Sequence, residues 1–468
     1  MLTIYDSDNP WTRRQILSAG SLAVGGLSLS SLIAAESTGR ARANLPSVLT
    51  GKSVIFLFQQ GGPSQFETFD PKPNAPSGTR TVDGVIQTSL PGVLLGENLP
   101  QLAQCAHLLT VVRSYQTGNA THNIRPIVGP ESLNANIGAL YSRVAGATHP
   151  VTAMPSNAVL LPQAVSSEIP PGEGRGDLAA TGTIGAAFAP FVPGGTGQLL
   201  QNLKLNLSAD RFRERQDLRQ QLDKIGLQHT SDPQFQKVDR NQQQACDVLL
   251  SGSVARALDL AHEDPAVLAR YDTSRYATHD GWRKVDRGKR GYYAGHARSL
   301  GKSLLLARRL CEAGCGFVTV HSGYEGVWDM HADGNNLNMH DGMQAVGLAF
   351  DHAVAAFVAD LEASGLSEKI LLVATGEMGR TPHINRQGGR DHWAKLTPLL
   401  LYGAGMPRGR VIGQSSRDGG EPATDAATTA HLISTILQTV LDPAELRLQP
   451  ALSVISRLAD LPPIPGLG

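Results

Sequence analysis

Beyond its first 43 residues this chain contains no apolar run approaching the roughly 20 residues that a bilayer-spanning helix requires. It has only four cysteines (Cys105, Cys246, Cys311 and Cys315), too few and too scattered for a disulfide scaffold. Cys311 and Cys315 stand one helical turn apart beside Leu310 and Ala313, which suits packed core thiols better than a metal pair. Charge of one sign is also missing. Lys plus Arg and Asp plus Glu both number 41, so nothing favours nucleic acid or a strongly acidic partner. Gly61-Gly62 lacks the G-x-G-x-x-G spacing and opens onto a Pro-rich loop, which argues against a nucleotide-binding oxidoreductase.

What is present is a 468-residue chain with 50 glycines and 28 prolines, long enough for a large core and rich in loops. Thr12-Arg13-Arg14-Gln15 precedes a Gly/Ala/Ser/Leu run to Ala35 and then Ala41-Arg42-Ala43. Basic, apolar and small residues in that order read as an export signal with a cut after Ala43. The paired arginines before a weakly hydrophobic core point to the twin-arginine route and its export machinery as a partner. The mature protein is then expected in the periplasm or outside the cell, without a stable membrane span.

Short unalternating apolar runs mark strands buried on both faces: Val54–Phe58, Leu108–Val112, Phe317–His321, Ile370–Ala374 and Pro398–Tyr402, with Ala158–Pro162 and Arg410–Gly413 as further strand segments. Helices are expected over 300–311 and 428–440. Between Gly342 and Gly365, Met343, Val346, Phe350, Val354, Phe357, Val358 and Leu361 form one apolar stripe. Asp351 borders it, capping a polar contact or turned toward the site, whereas His352 lies on the solvated side. From about 205 to 262 the composition shifts to Gln, Arg, Asp and Leu; Ser208 suits an N-cap, and Leu218, Leu222 and Ile225 recur at helical spacing, as in a helical insertion.

The exits of four of these strands carry candidate ligands: Glu67 or Asp70 after the first, His122 after the second, Asp329 and His331 after Phe317–His321, and Glu377, Asp391 and His392 after Ile370–Ala374. In a parallel sheet these exits open on one edge, where ligands of α/β folds bind. Zinc takes imidazole and carboxylate; manganese, magnesium or calcium favour more oxygen. Such a divalent cation would lower the pKa of water or polarise a phosphate or sulfate ester. Arg380 or Arg390 could hold the oxyanion, and Thr121 or a metal-activated water could attack.

Several segments together resemble one family: Arg13-Arg14, Gly61-Gly62-Pro63-Ser64, Phe69-Asp70-Pro71-Lys72-Pro73, Val112-Arg113-Ser114, Leu304 to Gly314, Trp328-Asp329-Met330-His331, Gly376 to Pro382 and Gly388 to Trp393. The pattern resembles the exported bacterial "domain of unknown function 1501" family, up to about residue 440. That family in turn looks like the alkaline phosphatase and sulfatase superfamily. The resemblance implies a single α/β domain over 44–468, a mostly parallel sheet sandwiched by helices with metals at the strand ends. It would place Glu377 where the superfamily has a metal-binding Asp, Asp329 and His331 near its Asp…His pair, and His392 near its late histidine. Two departures stand out: Gln59-Gln60 occupies the first strand end, where that superfamily has Asp, so Glu67 or Asp70 would have to substitute. No Cys/Ser-x-Pro-x-Arg nucleophile motif occurs. The expectation is therefore an exported metal-dependent hydrolase of a small-molecule or polysaccharide sulfate or phosphate ester; the alternative is a non-catalytic binding or assembly protein retaining the fold.

Overall fold

The computed structural model describes residues 46–166, 168–169, 175–193, 252–278, 287–322, 326–333 and 336–467, the single positions 211, 214, 215 and 218, and two short strands near the amino terminus. The chain divides into two units, Met1–Pro46 and Ser47–Gly468. In the first, Tyr5–Asp6 pairs antiparallel with Asn9–Pro10. The arginine pair and apolar run of the expected signal lie outside the described residues, as do Ser208, Leu222 and Ile225 of the expected insertion. At the end of that stretch, Ser253–Leu258 is helical.

The second unit is built on nine strands used below: β1 (Ser53–Phe58), β2 (Thr110–Val112), β3 (Asn157–Leu160), β4 (Phe317–His321), β5 (Ile370–Thr375), β6 (Gly379–Ile384), β7 (Arg390–Trp393), β8 (Leu399–Tyr402) and β9 (Arg410–Ile412). Seven form one sheet in the order β9-β2-β8-β5-β1-β4-β3, while β6 and β7 form a separate antiparallel hairpin. Strand β8 runs antiparallel to both its neighbours, and every other pairing in the sheet is parallel. The carboxyl ends of β1, β2, β4 and β5 therefore share one edge, as the apolar runs imply.

The strands alternate between two cores, as a period of two dictates. Ile55, Leu57, Val318, Val320, Leu372 and Ala374 face one layer; Val54, Phe56, Phe58, Leu371 and Val373 face the other. Six helices matter here: α1 (Pro100–Gln104), α2 (Ile137–Ala145), α3 (Arg287–Glu312), α4 (Leu348–Ser364), α5 (Thr429–Val440) and α6 (Ser453–Ala459). Residues of α3 and α4 fill the first layer, and those of α2, α5 and α6 the second. The apolar stripe from Met343 to Leu361 is buried throughout. Met339–Ser364 is long and apolar enough to cross a membrane, yet most of it is covered here, since it packs in the core beneath the sheet. Each fully buried side chain of this kind contributes about 1.5–3 kcal/mol.

Asp351 and His352, neighbours on α4, behave differently from each other. Asp351 is wholly buried and caps α1, accepting from the Gln101 and Leu102 amides at 3.0 and 2.8 Å. Burial pushes its carboxyl up to about 6 against those bonds. It makes no bond to the strand-end residues, so of its two expected roles the capping one applies. His352 corrects the expectation of a solvated side chain. It is half-buried, its Nε2 donating to the Arg270 carbonyl at 2.9 Å and its Nδ1 accepting from Arg275 at 2.9 Å.

Candidate functional site

Four loops at the shared sheet edge supply the site. After β4, Trp328 buries its ring edge-on to Phe350 at 5.6 Å and donates Nε1–H to Ser322 Oγ at 3.2 Å, which fixes the next residue, Asp329. After β2, Thr117 Oγ1 donates to the Glu377 carbonyl at 2.7 Å and Asn119 bonds Thr121 and Asn123, shaping the turn that presents His122. Glu377 follows β5 and is fully buried. The β6–β7 hairpin delivers His392, whose cross-strand partner is Arg380.

These residues meet at Asp329. His122 Nε2 lies 3.1 Å and His331 Nε2 3.0 Å from Asp329 Oδ2, while His392 Nε2 lies 3.1 Å from Oδ1. Arg380 donates to Oδ1 at 2.8 Å and Asn336 Nδ2 to Oδ2 at 3.3 Å. On the far side of each ring stands an acceptor. His122 Nδ1 faces Glu377 Oε1 at 3.0 Å, His392 Nδ1 faces the Ala120 carbonyl at 3.2 Å, and His331 Nδ1 faces Asp333 at 3.8 Å. With a cation bound, the acceptors at hydrogen-bond distance from His122 Nδ1 and His392 Nδ1 would hold the proton there and leave Nε2 to ligate, the arrangement of metal-ligating histidines.

The residues present fit a divalent cation. One ligand atom each from His122, Asp329 and His392 lies within 4.8 Å of the others. In a tetrahedral shell with bonds of about 2.0–2.2 Å, neighbouring ligands stand roughly 3.3–3.6 Å apart; here the Nε2 atoms of His122 and His392 each lie 3.1 Å from a carboxylate oxygen of Asp329. Glu377 Oε2 is in addition a buried oxygen with no hydrogen-bond partner. Two imidazoles to one carboxylate favour zinc, manganese or another first-row ion over magnesium or calcium, which prefer all-oxygen sets.

The electrostatics agree with a site that is proton-filled when no cation is bound. Burial would lower His122, but bonds from Asp329 and Glu377 outweigh it and raise its imidazole to about 9. Burial pushes Glu377 up while His122 opposes it, so the pair keeps a proton between them. Burial would also raise Asp329, yet Arg380 and the three histidines hold it well below the usual carboxylate range.

Several candidates are placed elsewhere. Asp70 pairs with Lys72 at 3.0 Å and with Arg113, and its second oxygen accepts from Ser415. Glu67 pairs with Arg390 at 3.0 Å, both fully buried, so neither acid substitutes for the missing first-strand carboxylate. That end instead offers the Gly61 amide, which donates to Glu377 Oε1 at 2.8 Å. Asp391 is exposed and bonds Asn385, because neighbours on a strand point to opposite faces and His392 takes the inner one.

Both arginines expected at an oxyanion are buried among protein acceptors. Arg380 donates to the Gly61, Gly62, Trp328 and Arg390 carbonyls as well as to Asp329. Arg390 donates to Glu67 and to the Thr79, Arg80, Thr381 and Pro382 carbonyls, its guanidinium stacked 4.1 Å over Phe66. They brace loops. Thr121 lines a cavity with His122 and His392, but its hydroxyl donates to Asn119 Oδ1 at 2.8 Å. Asn336, which touches both Asp329 and His331, carried no sequence signal beyond following them.

Among solved structures, the chain is similar to the PsFucS1 sulfatase from Pseudoalteromonas sp. at 12% identity, covering 83% of this chain and 67% of that one with a TM-score of 0.34. It is also similar to the alkaline phosphatase of the Antarctic bacterium TAB5 at 15% identity (84% and 99% covered, TM-score 0.28). A third is the lipoteichoic acid synthase LtaP of Listeria monocytogenes at 10% identity (85% and 75% covered, TM-score 0.28). No curated protein matches. The model of the family described as "Protein of unknown function (DUF1501)" matches residues 51–450, the span that holds the sheet, the hairpin and the histidine cluster, and the chain belongs to that family.

Proposed function

We propose that this protein is a metal-dependent hydrolase of sulfate or phosphate esters, working in the periplasm or outside the cell after twin-arginine export. The observation that carries the reading is the convergence of His122, Asp329 and His392, with ligand atoms within 4.8 Å of one another, beside a cavity that His122 and His392 line. The ester class follows the sequence resemblance. A bound divalent cation would polarise the ester and lower the pKa of water beside it. His122, Asp329 and His392 would hold it, with His331 and Glu377 beside them.

The chain's own part is positioning. Glu377 orients His122 through Nδ1, the Ala120 carbonyl orients His392, and Arg380 keeps Asp329 ionised. His122 Nε2 and Asp329, which share a proton, would have to give it up to hold a cation, so binding would release protons. The substrate would be a small-molecule or polysaccharide anionic ester.

A second reading, a non-catalytic binding or assembly protein, is favoured by Gln59-Gln60 at the first strand end and by the engaged hydroxyl of Thr121. Elemental analysis of the full chain folded in the cytoplasm, followed by a panel of aryl sulfates and aryl phosphates, separates the two. Bound zinc or manganese, lost together with ester hydrolysis in His122→Ala/His392→Ala, supports the hydrolase. A metal-free and inert protein supports the second reading.

A further inference from the structure

Asp329 stands between Trp328 and Met330, and three locally unfavourable features converge on that short segment. The first is His296 of α3, a wholly buried imidazole whose ring meets the Trp328 ring edge-on at 6.4 Å. Its nitrogens have only poorly formed contacts with the Val346 and Ser322 backbone, so the group weakens the fold that encloses it. The second is a π-turn at Met343–Gly347, immediately before α4, in which the Leu348 amide reaches back to the Met343 carbonyl. Single π-turns of this kind occur mostly at functional sites. This one carries Val346 to His296, and the preceding Gly342 closes on Met330 so tightly that a Cβ would stand 2.6 Å from Met330 Cγ. The third is Gly61, at φ of +116°, where a Cβ would lie 2.7 Å from the Trp328 and Asp329 amide nitrogens. Only glycine fits there.

Trp328 is thereby left with one resting place. His296 meets its ring from α3 and Phe350 meets it edge-on at 5.6 Å from α4. Its Nε1–H donates to Ser322 Oγ at 3.2 Å, and its carbonyl accepts from Arg380 at 3.1 Å. A leucine at position 296 would fill the same space without burying two nitrogens, so the fold alone does not call for histidine. We propose that His296 is a positioning residue for the cation site: its ring locks Trp328 between α3 and α4, and Trp328 in turn holds the Asp329 carboxylate where His122 and His392 can share an ion with it. The inference deepens the reading of that cluster as a metal centre, on which it rests, by naming what sets its geometry.

The full chain carrying His296→Leu or His296→Phe, compared with the parent, tests this through four measurements. These are zinc competition against a chelating dye, the visible absorption of the cobalt-loaded protein, melting at neutral pH and crystal structures without metal. His296→Leu is expected to bind zinc about tenfold more weakly and to alter the cobalt bands, while its melting temperature is no lower than the parent's. His296→Phe keeps the ring edge and should recover most of the affinity. A merely structural role would do the reverse, lowering the melting temperature and leaving zinc affinity and the cobalt bands unchanged. Parent-like zinc binding and cobalt bands in His296→Leu overturn the proposal. Should that variant not fold, Phe350→Leu frees Trp328 from its other side, and parent-like zinc binding there overturns it equally. A parent that takes up no divalent ion removes the metal reading and leaves the crystal structures to decide. Movement of the Asp329 carboxylate away from His122 by more than about 0.5 Å in His296→Leu then sustains the positioning role, and an unmoved carboxylate overturns it.

Discussion

Asp329 is within hydrogen-bond distance of three imidazoles, a guanidinium and an amide, and three of these, His122, Arg380 and His392, come from parts of the chain that would otherwise be independent. Asp329→Asn removes the charge but keeps the size. Metal affinity should fall at least about a hundredfold, read by competition with a chelating dye. It also leaves Arg380 buried without its anion, so urea unfolding should report a loss of about 3–5 kcal/mol. A second residue-scale effect sits beneath the site. His296 on α3 is fully buried against Trp328, and its ring nitrogens have only poorly formed contacts with the Val346 and Ser322 backbone. Burial lowers it to about 4, and the nearby Val346 and Ser322 backbone opposes the drop without cancelling it. The unfolded chain therefore takes up this proton more readily than the folded one. The stability His296 contributes is complete above about pH 6.5 and is lost as pH falls toward 4, roughly 3 kcal/mol in all. His296→Leu should shift the acid-unfolding midpoint, followed by circular dichroism, to lower pH.

At the scale of elements, the β6–β7 hairpin decides which residues enter the site. Its amide at Arg390 donates to the Met330 carbonyl at 3.2 Å, docking the hairpin on the Asp329 loop. A Cβ on Gly389 would stand 2.4 Å from the His331 carbonyl carbon, so a side chain there pushes the two loops apart. Gly389→Ala is expected to weaken metal binding about tenfold while every ligand remains in place, measurable by the same dye competition. A result equal to the parent would show that the hairpin's docking does not set His392. The sequence reads this region as a Gly-rich loop, and the strand character of Arg390–Trp393 is what separates His392 from Asp391. A period of two cannot be seen in four residues of mixed polarity. The core strands were legible because an apolar run between turn residues leaves few alternatives, and the α4 stripe was legible for the same reason at helical spacing.

Taken whole, the molecule places its cluster where four parallel strand ends meet, so a cation there would tie together loops from residues 122 to 392. Binding to the folded chain alone should raise its melting temperature by roughly 2–5 °C at about a hundred times the dissociation constant. Differential scanning calorimetry with zinc or manganese and then with chelator checks this, and no shift with any divalent ion counts against the metal centre. Local pattern was enough to specify the buried strands, the long apolar helix, the family and the acids and histidines at the strand ends, because periodicity and motif are properties of neighbouring residues. Tertiary structure alone decided which of those side chains converge. It sent Arg380 to Asp329 and Arg390 to Glu67, turned Asp391 outward, and tied Asp70 to Lys72 and Arg113. The physical reason is that each buried charge must find its partner in space, and partners as distant in the chain as Glu67 and Arg390 or Asp329 and Arg380 leave no trace in local sequence.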